Sequence, residues 1–373
     1  MIYLDNAATT LKKPYAVRQE MARCMKHFCA NSGRGGHRLS MLAGEKVYDC
    51  REKLAKLFNV SDPANIVFTA NTTMALNLAI KGILKDVKHV VLSGMEHNSV
   101  LRPIVHSGVS YSIAKADVNG LVTAKSVEDA IECDTGLIVV THASNIVGTI
   151  NPISEIGEVA KKYNIPFLVD AAQTAGVIPI DVEWDKISML AFAGHKMLYG
   201  PTGTGGLYVS PSIKLNTIIE GGTGSLSESH FQPDFMPDHL ESGTLNTVGI
   251  VGLLEGVKFV LNNTPEAIHK KEMYLTKKLI SELKNIKGVN VYGAEDRVGV
   301  VGFSINGIDS VTVCTKLDED YNIASRGGMH CAAIAHKSMG TDRCGLARLS
   351  ISYFTNMNEI NKAINAVNKI SKK

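Results

Sequence analysis

The chain has 373 residues, of which 45% are hydrophobic and 20% are charged, a composition typical of a globular protein with a large core. Its formal net charge of +3 argues against nucleic acid or an anionic membrane as a partner. No apolar run reaches the length of about 18 residues that a membrane-spanning helix needs, and no secretory pattern precedes the first motif. We therefore expect a cytoplasmic protein.

The seven cysteines are scattered along the chain, and no two of them have the CxxC spacing. An odd number without a regular pattern argues against a disulfide framework. Cys24 and Cys29 flank His27, but no second group of ligands follows, so we predict no metal site. Most of these thiols are expected to be small core residues.

The first third of the chain contains helical patterns and one strand that leads into an apolar helix. Residues 14–28 and 41–58 have helical periodicity, and between them residues 31–40 form a loop rich in glycine and cations that contains His37. Residues 66–69 form a β-branched strand, after which Thr72 and Thr73 lead into an apolar helix predicted over residues 74–83. Hydroxyls and free N–H groups at a helix start suit a phosphate, although threonine caps alone would explain the same pattern.

The middle of the chain alternates apolar strands with helices, and candidate site residues follow the strands. Strands are predicted at residues 89–93, 136–141, 165–169, 187–192 and 205–210. Such a series indicates a mostly parallel sheet covered by helices on both faces, with ligands at the carboxyl ends of the strands. The polar residues that follow these strands are His97, Asn145, Asp170, Gln173, His195 and Lys196.

Lys196 is the residue around which the site is predicted. A lysine in this tripeptide alone would be an ordinary surface residue, but Asp170 ends a buried strand upstream and needs a cationic partner. A protonated pyridine nitrogen would be that partner, and a buried ε-amine can form a Schiff base with an aldehyde. Together they point to pyridoxal phosphate (PLP), with Gln173 within reach of the ring hydroxyl.

The last part of the chain contains a long irregular segment, a helix that residues 241–247 open and that runs to about residue 261, and then a change of pattern. We predict a large PLP-binding domain over residues 13–260 and a small α+β domain over residues 1–12 and 261–373. Cys331 lies on a glycine-rich loop beside Arg326 and His330, a setting that favours a reactive thiolate. Arg348 is either a paired charge or a clamp for a substrate α-carboxylate.

Six motifs in one order carry a resemblance to a known family. They are residues 3–10, 94–99, 144–149, 169–173, 194–196 and 326–332. With them the chain resembles the fold-type I PLP enzymes of the class-V aminotransferase group, and most closely the cysteine desulfurase and selenocysteine lyase family. The resemblance implies an α/β fold with a mostly parallel sheet of the seven-stranded type between helices, and a smaller α+β domain.

The resemblance also implies a role for each matching residue. Lys196 would be the Schiff-base lysine, Asp170 would face the pyridinium, and Gln173 the ring oxygen. His97 would stack on the ring, with Asn145 near the ring or the substrate. Phosphate would be bound by Thr72, Thr73, His195 and, from the second subunit of a homodimer, Thr244. The residues implied at the substrate are Arg348, Arg326, His37 and the attacking thiol of Cys331.

The implied activity is removal of sulfur from L-cysteine, which leaves alanine and a persulfide on Cys331. The short cysteine loop resembles the second desulfurase group, whose persulfide passes to a dedicated acceptor protein. The chain departs from the family at Ala193, where a serine is common, and at Gly327 and Met329, where serine and tyrosine are common. Three alternatives stay open: a selenocysteine lyase, a transaminase or C–S lyase on the same scaffold, and a non-catalytic cofactor-binding protein.

Overall fold

The structure of the protein, a computed structural model, describes residues 1–33 and 35–372. Residue 34 of the glycine-rich loop therefore lies outside the described residues. The strands are β1 (Ile2–Tyr3), β2 (Ile66–Thr69), β3 (His89–Ser93), β4 (Ser110–Ala114), β5 (Thr135–Thr141), β6 (Phe167–Asp170), β7 (Met189–Ala193), β8 (Gly205–Val209), β9 (Val289–Tyr292), β10 (Val300–Ile305), β11 (Ile323–Ala324) and β12 (Ala347–Ser350).

The helices cover both faces of the main sheet and surround the C-terminal strands. They are α1 (Tyr15–His27), α2 (Arg38–Phe58), α3 (Thr72–Ile83), α4 (Asn98–Ser107), α5 (Ala124–Glu128), α6 (Ile153–Lys162), α7 (Thr247–Asn263), α8 (Pro265–Lys284), α9 (Ser310–Tyr321), α10 (Ala333–Met339) and α11 (Met357–Ile370). Over the described ranges, none of these helices has both the length and the apolar character that crossing a membrane requires.

The main sheet has seven strands in the order β2-β8-β7-β6-β5-β3-β4. Strand β8 is antiparallel to both of its neighbours, and the other neighbouring pairs are parallel. This arrangement confirms the predicted mostly parallel sheet. Because the parallel strands point the same way, the loops after β3, β5, β6 and β7 meet at one edge.

The alternation of side chains along β7 shows how the sheet is enclosed. Leu190 and Phe192 pack on one side with residues of α2, α6 and α7, where the rings of Phe58 and Phe192 lie 5.2 Å apart. Met189 and Ala191 pack on the other side against α3 and α4. All five residues of β7 are buried, as expected for a strand covered on both faces.

The C-terminal part has its own antiparallel sheet, β9-β10-β12, with α8, α9 and α11 around a separate core. Strand β1 pairs with β11 in parallel, so the first residues of the chain lie against this part. Helix α7 ends at Asn263 and α8 begins at Pro265, close to the predicted domain change near residue 260. The division into two domains itself stays a prediction.

Two helices begin earlier than predicted because polar side chains cap them. The imidazole of His37 accepts a hydrogen bond from the Ser40 N–H, and α2 begins at Arg38 instead of residue 41. The Asn71 side chain accepts from the Met74 N–H, and α3 begins at Thr72. Such caps satisfy N–H groups that have no partner inside the helix.

Candidate active site

A cavity of about 170 Å³ lies at the sheet edge where β3, β5, β6 and β7 end. Eight of the predicted site residues line it, and they come from five different segments of the chain. These residues are Thr72, Thr73, His97, Asn145, Asp170, Gln173, His195 and Lys196. The structure therefore brings together the residues that the sequence places after the strands.

Lys196 is held in a tight turn that follows β7. Its carbonyl accepts hydrogen bonds from the Tyr199 N–H at 3.0 Å and from Thr10 Oγ1 at 3.0 Å. Gly194 is required before it, because a Cβ atom there would lie 2.2 Å from Thr204 Oγ1. Burial lowers the pKa of Lys196 to about 8, against the opposing effect of the Asp170 carboxylate.

Asp170 is the acidic residue of the cavity and is only 5% exposed. It ends β6, and its Oδ1 accepts a hydrogen bond from the Ala172 N–H at 2.9 Å. Burial raises the pKa of this carboxyl group, which the Ala172 N–H and the charge of Lys196 oppose. A buried carboxylate of this kind is stabilised by a cation placed in the cavity.

Both histidines of the cavity are uncharged at neutral pH. Burial lowers the pKa of His97 to about 4, and Lys196 and Arg326 reinforce the effect. Burial, with Lys196, lowers the pKa of His195 to about 4. The Nδ1 of His97 accepts the Ser99 N–H at 3.1 Å, so the proton of the neutral ring is on Nε2.

Two buried polar atoms beside the cavity have no partner among the described residues. They are Thr72 Oγ1, in the first turn of α3, and Gln173 Oε1. The amide nitrogen of Gln173 donates to the Ala7 carbonyl at 3.1 Å. Buried polar atoms normally form hydrogen bonds, so both atoms indicate that a polar ligand completes the site.

Cys331 lies on a short loop whose backbone is fixed by hydrogen bonds. The Cys331 carbonyl accepts from the Asn98 N–H at 2.7 Å, and the His330 carbonyl accepts from Asn145 Nδ2 at 2.9 Å. His330 and Cys331 have φ angles of 47° and 56°, a left-handed conformation that non-glycine residues rarely adopt. The exposed thiol has Arg326 Nη2 at 4.0 Å, which places a positive charge beside the sulfur.

Arg348 is buried beneath this loop, with a relative exposure of 2%. It donates to the Asn145 carbonyl at 2.8 Å and to Asp5 Oδ1 at 2.6 Å. Its Nε has no partner among the described residues. The backbones of Arg326 and Arg348 also pair with each other, so both guanidinium groups belong to the same region.

Besides Cys331, Arg326 and Arg348, two further predicted residues, Thr244 and His37, do not line the cavity in this chain. Thr244 Oγ1 accepts a hydrogen bond from Asn31 Nδ2 at 3.3 Å, and the imidazole of His37 caps α2. Their predicted roles in binding phosphate and substrate stay predictions. Sequence reasoning did not identify Asp5 as the partner of Arg348. It also did not identify Glu96 as a buried residue of the site. The position of Glu96 directly before His97 was the available indication.

The class-V aminotransferase family model matches residues 2–362 of the chain. The chain belongs to the class-V aminotransferase family. A probable cysteine desulfurase of Methanothermobacter thermautotrophicus is 36% identical to it over 369 residues, which cover 96% of this chain and 92% of the relative. A cysteine desulfurase IscS of Shewanella woodyi is 34% identical over 390 residues, which cover 99% of this chain and 92% of the relative.

Solved structures give the same result. The apo structure of the cysteine desulfurase from Thermococcus onnurineus NA1 superposes with a TM-score of 0.89 and 30% identity, covering 100% of this chain and 94% of that chain. The cysteine desulfurase CsdA of Escherichia coli superposes with a TM-score of 0.89 and 25% identity, covering 99% and 94%. The predicted fold-type I architecture and the predicted relationship to cysteine desulfurases are therefore confirmed.

Class-V aminotransferases and cysteine desulfurases depend on PLP, and the residues present fit this group. Asp170 is a buried carboxyl group in need of a cation, as a pyridinium would be. Gln173 Oε1, which no described residue contacts by a hydrogen bond, can accept from a ring hydroxyl, and Thr72 Oγ1 at the start of α3 can donate to a phosphate. Lys196 supplies the amine, with a pKa of about 8.

Proposed function

We propose that this protein is a PLP-dependent cysteine desulfurase that converts L-cysteine to L-alanine and leaves the sulfur as a persulfide on Cys331. The observation that carries this proposal is the placement of an exposed thiol, with a guanidinium 4.0 Å from its sulfur, beside a cavity that contains Lys196 and Asp170. The names of the related proteins support the same activity.

The residues of the chain have separate tasks in this proposal. Arg348, whose Nε has no partner in the part of the chain that the structure describes, binds the substrate α-carboxylate. Lys196 accepts and returns the α-proton, since its pKa of about 8 leaves part of it unprotonated near neutral pH. The bound PLP supplies an electron sink for the negative charge that forms on the substrate carbon. Asp170 keeps the ring nitrogen protonated, and the neutral His97 covers the ring face.

Sulfur transfer is assigned to Cys331. Its thiolate attacks the substrate sulfur, the carbon–sulfur bond breaks with its electron pair remaining on carbon, and that carbon takes up a proton. The products are alanine and a Cys331 persulfide, and no external oxidant is needed. Hydrogen bonds from Asn98 and from Asn145, which lines the cavity, fix the backbone of the loop that carries this thiol.

The test is to incubate the cofactor-loaded protein with L-cysteine and a reductant and to quantify alanine, sulfide and pyruvate together. We expect alanine and sulfide in equal amounts, and loss of both in Cys331→Ala. Cys133→Ala is the matched control, since this exposed thiol precedes β5 at the opposite edge of the sheet. Pyruvate as the main product, or full alanine production by Cys331→Ala, would refute the assignment.

We also propose that the active unit is a homodimer in which Thr244 reaches the phosphate of the partner subunit. Thr244 does not line the cavity of its own chain over the described residues. The preceding segment exposes apolar side chains, including Phe231 at 85% and Leu226 at 58%, as interaction surfaces do. Sedimentation should give twice the chain mass of 40.2 kDa, and Phe231→Asp should lower it.

The cytoplasmic location expected from the sequence stays a prediction, which cell fractionation tests directly. Transfer of the persulfide sulfur to an acceptor protein is also part of the proposal. It requires a route by which an acceptor thiol reaches Cys331 from solvent.

A further inference from the structure

A second depression adjoins the active-site cavity and lies between α3 and α4. It has a volume of about 530 Å³ and shares Thr73, His97 and Ser99 with the cavity. Among the described residues, Cys331 lines this depression but not the cavity, whereas Lys196 lines only the cavity. We call it the α3–α4 groove. A sulfur atom carried on Cys331 therefore borders the groove.

One wall of the groove is a single face of α3. Thr73, Asn77 and Lys81 line it at intervals of four residues, which places them in one row along the helix. The Asn77 amide nitrogen donates to the Thr73 carbonyl at 2.9 Å, and no hydrogen bond to its amide oxygen is formed by the described residues. At 1.5 Å per residue, this row extends the groove by about 12 Å, the length of about four residues of extended chain.

The groove is positively charged. Lys81 on α3 and Arg102 and His106 on α4 line it and are exposed. No aspartate or glutamate is found among its lining residues in the described ranges. Neither Lys81 nor Arg102 forms a salt bridge with a described residue. The charge of Arg102 also acts on the active site. It helps to lower the pKa of His97, although burial, Lys196 and Arg326 have larger effects.

We propose that the α3–α4 groove binds an acidic peptide segment of a sulfur-accepting protein and so brings the acceptor thiol to Cys331. The inference rests on the proposed desulfurase activity and adds the chemical class of the acceptor. The length of the groove suits several carboxylates on an extended segment better than one small anion, as do Lys81 and Arg102, which form no salt bridge with a described residue. Backbone groups of such a segment can also bond to Asn77.

The transfer step requires no additional reactant. The acceptor thiolate attacks the outer sulfur of the Cys331 persulfide, and the bond between the two sulfur atoms breaks. The Cys331 thiolate leaves with the electron pair, and the acceptor carries the new persulfide. Cys331 is then ready for another L-cysteine.

The test uses the cofactor-loaded protein, L-cysteine and two thiol peptides of equal length. In one peptide a single cysteine is flanked by aspartate and glutamate, and in the other by asparagine and glutamine. The measured quantity is the ratio of the persulfide transfer rates to the acidic and the neutral peptide. For complementary charges we expect a ratio of about ten at low ionic strength, which falls towards one at about 1 M salt.

Charge reversal locates the effect. Lys81→Glu and Arg102→Glu should each bring the ratio close to one, because each replaces a positive charge of the groove by a negative one. The rate on the neutral peptide provides an internal reference for folding and cofactor content. Lys85→Glu is the matched control: this exposed lysine lies just beyond α3 and does not line the groove. Lys85→Glu changes the net charge by the same amount, and its ratio of transfer rates should equal that of the unmodified protein.

The outcomes separate the inference from the proposed function. Equal transfer rates to the two peptides, with alanine formed, would overturn the groove assignment and leave the desulfurase activity intact. Inhibition by an RNA oligonucleotide without any preference for the acidic peptide would overturn it in favour of a nucleic acid acceptor. A preference that persists in Lys81→Glu and Arg102→Glu would also overturn it. Absence of alanine with every acceptor would refute the proposed function instead.

Discussion

Replacing Glu96 by glutamine tests whether this buried side chain is a neutral acid. Glu96 directly precedes His97 and is 1% exposed. Its Oε1 accepts from Ser93 Oγ at 2.5 Å and from the Thr141 N–H at 2.6 Å, and its Oε2 has no partner among the described residues. Burial raises its pKa to about 8, and the Asp170 carboxylate contributes to the same direction.

The sign of the pH effect follows from the two states of the chain. Between about pH 4.5 and pH 8 the unfolded chain releases the Glu96 proton while the folded protein keeps it, so this group makes the protein less stable as the pH rises. The slope is about 1.4 kcal/mol per pH unit. Glutamine has no proton to release. From about pH 5.5 to pH 7.5, the stability of Glu96→Gln relative to the unmodified protein should therefore increase by about 2.7 kcal/mol.

The assay is equilibrium urea unfolding of both cofactor-loaded proteins, followed by circular dichroism at several pH values in this range. Other titrating groups are common to both proteins, so the difference between the curves isolates Glu96. Glu158→Gln, at an exposed position of α6, controls for the loss of one surface carboxylate. A difference that stays constant with pH would show that Glu96 is ionised in the fold and that the burial argument is wrong.

Four further substitutions test the site. Lys196→Ala should abolish alanine formation and release the cofactor on gel filtration, as read from its visible absorbance. Asp170→Asn should lower the turnover by about 100-fold or more, because a buried cation loses a partner worth about 3–5 kcal/mol; alanine formation measures it. Thr72→Val should weaken PLP binding by about tenfold, the value of one hydrogen bond to a charged group, in a titration of the apoenzyme. Ala193→Ser, which restores a hydroxyl common in the family, should tighten PLP binding in the same titration; unchanged affinity would show that position 193 does not face the phosphate.

The central sheet could be predicted from the sequence because its strands are continuous apolar runs, and burial on both faces requires such runs. The edge strand β4 was not predicted, since Ser110–Ala114 has mostly exposed or half-exposed side chains and gives no such pattern. Strand β1 has only two residues, too few for any periodicity. Its pairing with β11 depends on a contact between the two ends of the chain.

In the site, too, some residues could be predicted from the sequence and others could not. Lys196 and Asp170 could be identified because Asp170 ends one buried strand and Lys196 lies in the turn after another. The fold brings the ends of parallel strands to one edge. The partner of Arg348 could not be identified, because Asp5 is separated from it by 343 positions and only the packing of the C-terminal part brings them together. Glu96 was not identified as a site residue, because an ionisable residue just after a strand is expected to lie in a solvated loop unless its burial is known.

Burial decides which side chains of the site carry charge. It holds His97 and His195 uncharged, with pKa values of about 4, and keeps Glu96 protonated up to about pH 8. Asp170 can then stabilise a ring cation without competition from a charged imidazole. The guanidinium of Arg348, already balanced in part by Asp5, is left to attract a carboxylate. With PLP bound, the negative charge of Asp170 would face the ring nitrogen and the positive charge of Arg348 would face the substrate carboxylate. The charges of the site would therefore orient the substrate in the proposed reaction.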